Sequence, residues 1–264
     1  MMGTTPVKDP PVIDKNREGC VYGGFGRAIF DEGKDEGEKE NDQSVENAGP
    51  VPQFVTYFDS SLQRDETVLV VKHLLSPEEC QRIIASTEEL GFEDLTHLYR
   101  ASYRNNTRVM VESTPFVDTM FERLKPHLDS YAQESVRLAG TNDWNETTPV
   151  AFNPRMRICK YSSEGIFQRH QDGNCVLRKK RLQSYLTVMV YLNDVTDTEG
   201  GATRFYGREE DGTTWQVKQQ VQPQAGLAVI FPHRLWHDGE LCKASKYILR
   251  SDVLYPMDTQ DDEW

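Results

Sequence analysis

Long apolar runs are missing from this chain. No stretch of 18 or more apolar residues occurs in its 264 residues, so the sequence encodes no membrane-spanning helix. Met1 to Cys20 is polar and proline-bearing and lacks the apolar centre of a secretory leader. Cysteine is sparse: Cys20, Cys80, Cys159, Cys175 and Cys242 are odd in number, widely spaced and form no C-x-x-C. That pattern excludes a disulfide framework and fits free thiols in a reducing compartment, cytoplasmic or nuclear. Positive charge is also short. Thirty Lys and Arg stand against 42 Asp and Glu, for a net charge of -12, which argues against non-specific nucleic-acid binding. No nucleic-acid or membrane partner is expected. Asn105-Asn106-Thr107 and Asn145-Glu146-Thr147 match the glycosylation sequon but carry little weight without a leader.

Apolar residues are themselves scarce at 37%, which points to a portion that does not fold. Residues 1–50 are the candidate. Asp31 to Asn47 is dominated by Asp, Glu, Lys and Gly and cannot bury enough surface to offset its ordering entropy. A solubilising tail and an interaction arm are both open for it. Val21-Tyr22-Gly23-Gly24-Phe25-Gly26 is no nucleotide loop, because no strand precedes it and no helix pattern follows.

Residues 51–150 are expected to form a helical support region. Thr67–Val71 predicts a short buried strand. Ser76-Pro77-Glu78-Glu79 opens a helix with Ser76 as N-cap, Pro77 at the first position and Glu79 closing a capping box; Gly91 stops it. A second helix is predicted from Pro115 to Leu128, with Phe116, Met120, Phe121, Leu124 and Leu128 on its core face. From 151 to 257 the texture changes to short strands: Arg155–Tyr161, Phe167–His170, Tyr185–Leu192, Thr203–Tyr206, Leu227–Phe231 and Lys246–Leu254. This is a mainly β core with supporting α, a sandwich or barrel, and 258–264 is an acidic tail.

The chemistry concentrates in Arg169-His170-Gln171-Asp172-Gly173 and in His237. On a strand, His170 and Asp172 point to one face and Gln171 to the other. Two histidines and a carboxylate form the 2-His-1-carboxylate facial triad, whose open coordination positions suit a non-haem Fe(II) oxygenase. The same set can hold zinc in a hydrolase. His233 competes with His237 for the distal position and otherwise lies beside the site. Lys246, Ile248 and Arg250 share one strand face. A cation inside a barrel is costly unless paired, and a dicarboxylate would supply the partner. Lys246 and Arg250 are both candidates, Arg250 offering the planar fork. Asn105, Asn106 and Arg108 form a polar cluster that either borders a cleft or faces solvent. Arg178-Lys179-Lys180-Arg181 is either a solvated hairpin tip or a lid that steers an acidic substrate. Cys159 and Cys175 are taken as packing thiols.

The order His-x-Asp, Gly-Gly-Ala-Thr-Arg-Phe, Gly-Leu-Ala-Val-Ile-Phe, His-Asp-Gly-Glu, Lys-Tyr-Ile-Leu-Arg-Ser-Asp resembles the 2-oxoglutarate and Fe(II)-dependent dioxygenases, in their prolyl 4-hydroxylase-like branch. Leu75-Ser76-Pro77-Glu78-Glu79-Cys80 looks like the first support helix of that branch. The resemblance covers roughly residues 65–256. It implies a double-stranded β-helix (jelly roll) over 151–257, with Fe(II) on His170, Asp172 and His237. It further implies 2-oxoglutarate and O2 as cosubstrates, ascorbate as reductant, and succinate and CO2 as products. The cosubstrate's far carboxylate would meet Lys246, with Tyr191 and Tyr161 lining its pocket. The implied reaction is hydroxylation of a C–H bond, on a prolyl side chain of a protein or peptide. A small-molecule or free amino-acid hydroxylase and a catalytically silent jelly-roll binding protein are the alternatives.

Overall fold

Leu186–Tyr191 and Ala228–Pro232 read as near-continuous apolar runs because both of their faces are covered. The computed structural model describes residues 51–59, 64–138 and 148–257. The expectations for residues 1–50, for the Asn145 sequon and for the acidic tail lie outside the described residues. In chain order the elements are β1 (Val51–Asp59), β2 (Arg64–Lys72), α1 (Pro77–Leu90), β3 (Glu93–Asp94), β4 (Thr107–Glu112) and α2 (Thr114–Leu138). There follow β5 (Ala151–Phe152), β6 (Arg155–Tyr161), β7 (Gly165–His170), β8 (Val176–Leu177) and β9 (Leu182–Tyr191). The last are β10 (Thr203–Arg208), β11 (Trp215–Val221), β12 (Ala228–Pro232), β13 (His237–Cys242) and β14 (Lys246–Pro256).

These strands build two antiparallel sheets. The larger runs β1-β2-β12-β9-β14-β6-β4-β3, with β5 on β14 and β8 on β9; the smaller runs β11-β10-β13-β7. This is a double-stranded β-helix. The alternation along β9 shows how its core divides. Leu186, Val188 and Val190 join one apolar cluster with Ile83 of α1 and Phe116, Met120 and Leu124 of α2. Met189 and Tyr191 join a second cluster with Phe205 of the smaller sheet, between the sheets.

The region 51–150 is less helical than its sequence suggests: besides α1 and α2 it supplies β1 to β4 to the larger sheet. α1 forms as its end signals dictate. The Glu79 N–H donates to Ser76 Oγ (3.2 Å) and the Ser76 N–H to Glu79 Oε2 (2.8 Å). Gly91 closes the helix at φ 80°, where a side chain would be strained. α2 runs 25 residues, ten past the expected stop at Leu128, with Pro126 inside it. A proline removes one helix hydrogen bond. Tertiary contact overrides that local signal, since Tyr131 is fully buried and its hydroxyl donates to the Thr67 carbonyl (2.8 Å). Gly226, at φ 77°, lets the chain entering β12 touch the turn before α1: a Cβ there would lie 1.9 Å from the Leu75 carbonyl oxygen.

Cys80, Cys159, Cys175 and Cys242 are free thiols. Among the described residues no helix is long and apolar enough to cross a membrane.

The buried Glu79 carboxylate also joins the two helices. It accepts from Arg123 Nη1 (2.8 Å) and Nη2 (2.7 Å), and Arg123 Nη1 donates as well to the Leu74 carbonyl (2.9 Å). Glu79→Ala removes half the capping box and the carboxylate that pairs with Arg123. It should lower unfolding stability by about 2–3 kcal/mol in urea titration. Glu89→Ala, on the exposed face of the same helix, should stay within about 0.5 kcal/mol.

Candidate metal and cosubstrate site

The smaller sheet brings the two histidines together. In the β7–β13 ladder His170 lies directly opposite His237, with ring centroids 4.3 Å apart. Asp172 is not on the strand, as strict alternation would have it. β7 ends at His170, and the Asp172 N–H is held by the His233 carbonyl (2.9 Å) just beyond β12. The side chains nevertheless converge: donor atoms of His170, Asp172 and His237 all lie within 4.8 Å of one another.

Backbone carbonyls set the tautomers. His170 Nδ1 lies 2.8 Å from the Gln168 carbonyl and His237 Nδ1 lies 2.8 Å from the Leu235 carbonyl. A carbonyl only accepts, so each Nδ1 carries the proton and each Nε2 keeps a lone pair. Both Nε2 atoms face the carboxylate, at 3.6 Å from Asp172 Oδ1 for His170 and 3.7 Å from Oδ2 for His237. Burial pushes the His237 imidazole down to about 4, so it is neutral at pH 7. Two imidazole Nε2 atoms and one carboxylate suit a divalent transition metal with positions left open. The residues' own hydrogen bonding thus leaves them ready to hold such a metal.

Asp172 is nearly inaccessible, its side chain 2% exposed. Burial alone would raise its carboxyl. Arg250 outweighs that, its Nη1 2.8 Å from Oδ1, and with His170 and Thr187 holds the group well below the usual carboxylate range. Thr187 Oγ1 donates to Oδ2 (2.6 Å). The hydroxyl proton is thereby used, so Thr187 accepts from His233 Nδ1 (2.9 Å). Neutral His233 then accepts at Nε2 from Ser184 Oγ (2.9 Å), which itself accepts from the Cys175 N–H (2.8 Å). Burial lowers the His233 pKa, which keeps this tautomer. A one-directional chain therefore runs from the loop after Asp172, through Ser184, His233 and Thr187, back to the Asp172 carboxylate. His233 is no part of the three-residue cluster; it supports it.

Lys246 is another charged group out of water, 2% exposed. Its Nζ donates to the Gly201 carbonyl (2.8 Å) and stands 4.6 Å from the Tyr161 ring centroid. No carboxylate among the described residues lies within hydrogen-bonding distance. Burial pushes its ammonium down to about 8. Gly201 presents its carbonyl at φ 77°, and a Cβ there would meet Cys242 Sγ at 2.8 Å.

His170, Asp172, His237, Lys246, Tyr161 and Arg250 line one open cavity. Phe167, Phe231, Met189 and Ile248 supply its apolar wall. Tyr191 is not on that wall. It is fully buried behind Thr203, its hydroxyl bonded to Thr203 Oγ1 (2.7 Å) and to the Val221 carbonyl (3.0 Å). Asn106 is buried and accepts from Arg104 Nε, Asn105 ties to Ile166 and Glu164, and Arg108 pairs with Glu93. The cationic segment forms an exposed 3-10 turn, Arg178–Lys180. Sequence reasoning missed Arg104, Arg157, Cys159 and Thr187 on the cavity wall. The signal available for Arg157 and Cys159 was their alternation with Tyr161 on β6.

Supports of a metal's carboxylate ligand tune its affinity. Thr187→Val and His233→Ala should each weaken Mn(II) binding about 10- to 100-fold by calorimetry. Ser162→Ala, remote from this chain of bonds, should leave it unchanged.

A comparison with curated proteins finds no match. Residues 156–251 match the family model described as the 2OG-Fe(II) oxygenase superfamily. Solved structures with a similar chain path include a viral collagen prolyl hydroxylase from Paramecium Bursaria Chlorella virus-1 in its 2OG complex. It is 18% identical, with 72% of this chain and 96% of that chain covered, at a TM-score of 0.47. A Pseudomonas putida prolyl-4-hydroxylase is 19% identical over 70% of this chain and 91% of that one, at a TM-score of 0.45. A Trichoplax adhaerens prolyl hydroxylase, in complex with a hypoxia inducible factor peptide fragment, is 13% identical over 70% and 82%, at 0.48. The His-Asp-His cluster lies inside the segment that is similar to the 2OG-Fe(II) oxygenase superfamily.

Proposed function

We propose that the protein is a 2-oxoglutarate- and Fe(II)-dependent dioxygenase that hydroxylates a C–H bond, first of all on a prolyl side chain in a protein or peptide. The observation that carries the cosubstrate assignment is Lys246, a buried ammonium without a carboxylate partner in the cavity of the His-Asp-His cluster. A zinc hydrolase has no use for such a group. The prolyl assignment rests on the motif order of the prolyl 4-hydroxylase-like branch, and a free amino acid or other small molecule is the competing substrate.

In this proposal His170 Nε2, His237 Nε2 and the Asp172 carboxylate hold Fe(II). Bound iron, with 2-oxoglutarate and O2, supplies the oxidative decarboxylation to succinate and CO2 and the oxygen atom inserted into the substrate; ascorbate keeps the iron reduced. The chain's own residues position and shield. Lys246 binds the far carboxylate of 2-oxoglutarate, with the Tyr161 ring against the ammonium. Arg250 is the weaker candidate for that carboxylate, because it is committed to Asp172, which it braces together with Thr187. Tyr191 acts through Thr203. Phe167, stacked on His170 at 3.7 Å between centroids, and Phe231 keep water from the reacting face. Residues 151–257 make the catalytic core in this proposal, and 51–150 support it.

Two experiments test this. Purified protein with Fe(II), ascorbate, 2-oxoglutarate and a proline-containing peptide library should form succinate and a peptide heavier by one oxygen. Equal succinate from wild type and His170→Ala would reject the enzyme assignment. Lys246 gives a pH signature. Its pKa is depressed to about 8 from 10.5, so the free protein holds a charged Lys246 below that pH and a neutral one above it. An anion favours the charged form. Calorimetric 2-oxoglutarate affinity should therefore be flat below about pH 8 and fall as pH rises beyond it, with one proton taken up per binding event. Lys246→Arg should move that fall out of the measured range.

A further inference from the structure

The cavity carries more positive charge than the metal and the cosubstrate use. Lys246, Arg250, Arg157 and Arg104 line it against two carboxylates, Asp172 and Asp238. Asp238 is engaged by Arg204 Nε (2.9 Å), Arg204 Nη2 (2.6 Å) and the Tyr206 hydroxyl (2.7 Å). Asp172 pairs with Arg250. A divalent metal and the 2-oxoglutarate dianion cancel, so loading the site leaves the surplus unchanged. With Lys246 assigned to the cosubstrate, Arg104 and Arg157 remain.

Neither has a carboxylate at hydrogen-bonding distance among the described residues. Arg157 lies directly opposite Arg250 in the β6–β14 ladder. Like charges at opposed positions destabilise a sheet unless something neutralises them. The nearest acid to Arg157 is Asp252, whose Oδ2 is 3.9 Å from Nη1, too long for a hydrogen bond, and that oxygen already accepts from Asn153. Burial, then Arg250, lowers the Arg157 pKa, so an anion there would be welcome. The Arg157 side chain is 34% exposed, enough for a molecule entering the mouth to reach it. Arg104 is held flat by the rings of Phe167 (4.4 Å) and Tyr99 (5.2 Å), and its Nη2 points to Cys159 Sγ at 3.8 Å. Cys159 is two positions along β6 from Arg157 on the same face, roughly 7 Å away. The two guanidiniums thus flank one patch of wall. Phe167, which carries Arg104, also stacks on His170, so that patch adjoins the metal cluster. Guanidinium forks match carboxylates in shape as well as charge.

We propose that Arg104 and Arg157 form a second anion subsite, for a carboxylate on the substrate. The molecule to be oxidised is then acidic, either a peptide with Asp or Glu beside its target residue or a small carboxylic acid. The exposed Arg178–Lys180 turn, on the segment after Asp172, adds steering for such a substrate. This inference rests on the dioxygenase proposal above.

The test uses full-length protein loaded with Mn(II) and 2-oxoglutarate, so that binding is read without turnover. One arm titrates proline-containing pentapeptides with Asp or Glu after the proline against the same peptides with Asn or Gln. The other titrates L-proline against L-prolinamide. The acid form should bind about tenfold tighter or more in one arm, and that arm names the source. The preference should disappear in Arg157→Gln and in Arg104→Gln, with thermal melting checked for each, and persist in part in Arg157→Lys. Affinity for 2-oxoglutarate should stay within a few-fold in Arg157→Gln while Lys246→Ala loses it. Equal binding of acid and amide in both arms would overturn the proposal. So would a loss of 2-oxoglutarate binding in Arg157→Gln as large as in Lys246→Ala. If the wild type with Mn(II) bound no 2-oxoglutarate, the dioxygenase proposal itself would fail, before any acid–amide comparison is reached.

Discussion

A carboxylate shut away from water must be paired, and Asp172 is the group around which this molecule is arranged. Its partners come from separate parts of the chain. Arg250 reaches it from β14, Thr187 from β9, and the His233 carbonyl from the end of β12. The facing imidazoles stand on β7 and β13 of the other sheet. Only two sheets closed face to face can deliver all of these at once. The fold, the helices that cover the outer face of its larger sheet and the apolar layer between the sheets all serve this one charged centre. The directional hydrogen bonds through His233 and Ser184 carry the same constraint into the loop that follows Asp172.

Much of the centre was legible in the sequence, for local reasons. His170 and Asp172 were marked by their spacing and Lys246 by strand alternation, while the resemblance to the dioxygenases favoured His237 over His233. α1 was legible to the residue because a capping box and a terminal glycine are local signals. What escaped prediction depends on contact. The apolar face predicted for α2 ends at Leu128, yet the helix continues to Leu138, and Tyr131 within that extension finds a buried partner far away in sequence. β11 is polar along most of its length, since it forms the edge of the smaller sheet, and it gave no apolar pattern to find. Arg104 and Arg157 belong to no motif of the sequence. Their meaning arises only when the segment before β4 and the strand β6 close over one cavity. Asp172 reached its place by leaving the strand that alternation predicted for it.

The distribution of buried charge separates positioning from binding. Arg250 is paired with a carboxylate of the protein, Asp172, while Lys246 has only a carbonyl and an aromatic face. A lysine kept out of water at that cost is readily explained by a dianion that arrives from outside. The same accounting leads from Lys246 to Arg104 and Arg157, and so from cosubstrate to substrate.

The central claim is that His170, Asp172 and His237 hold Fe(II) with 2-oxoglutarate chelated to it and its far carboxylate on Lys246. Anaerobic titration of Fe(II) and 2-oxoglutarate, followed by visible absorption, tests it most directly, because a 2-oxo acid chelating Fe(II) gives a charge-transfer band. The account predicts a saturable band at one equivalent of iron in the wild type, absent in Asp172→Ala, and requiring far more 2-oxoglutarate in Lys246→Ala. A wild-type protein without the band, or an Asp172→Ala protein that keeps it, would contradict the account.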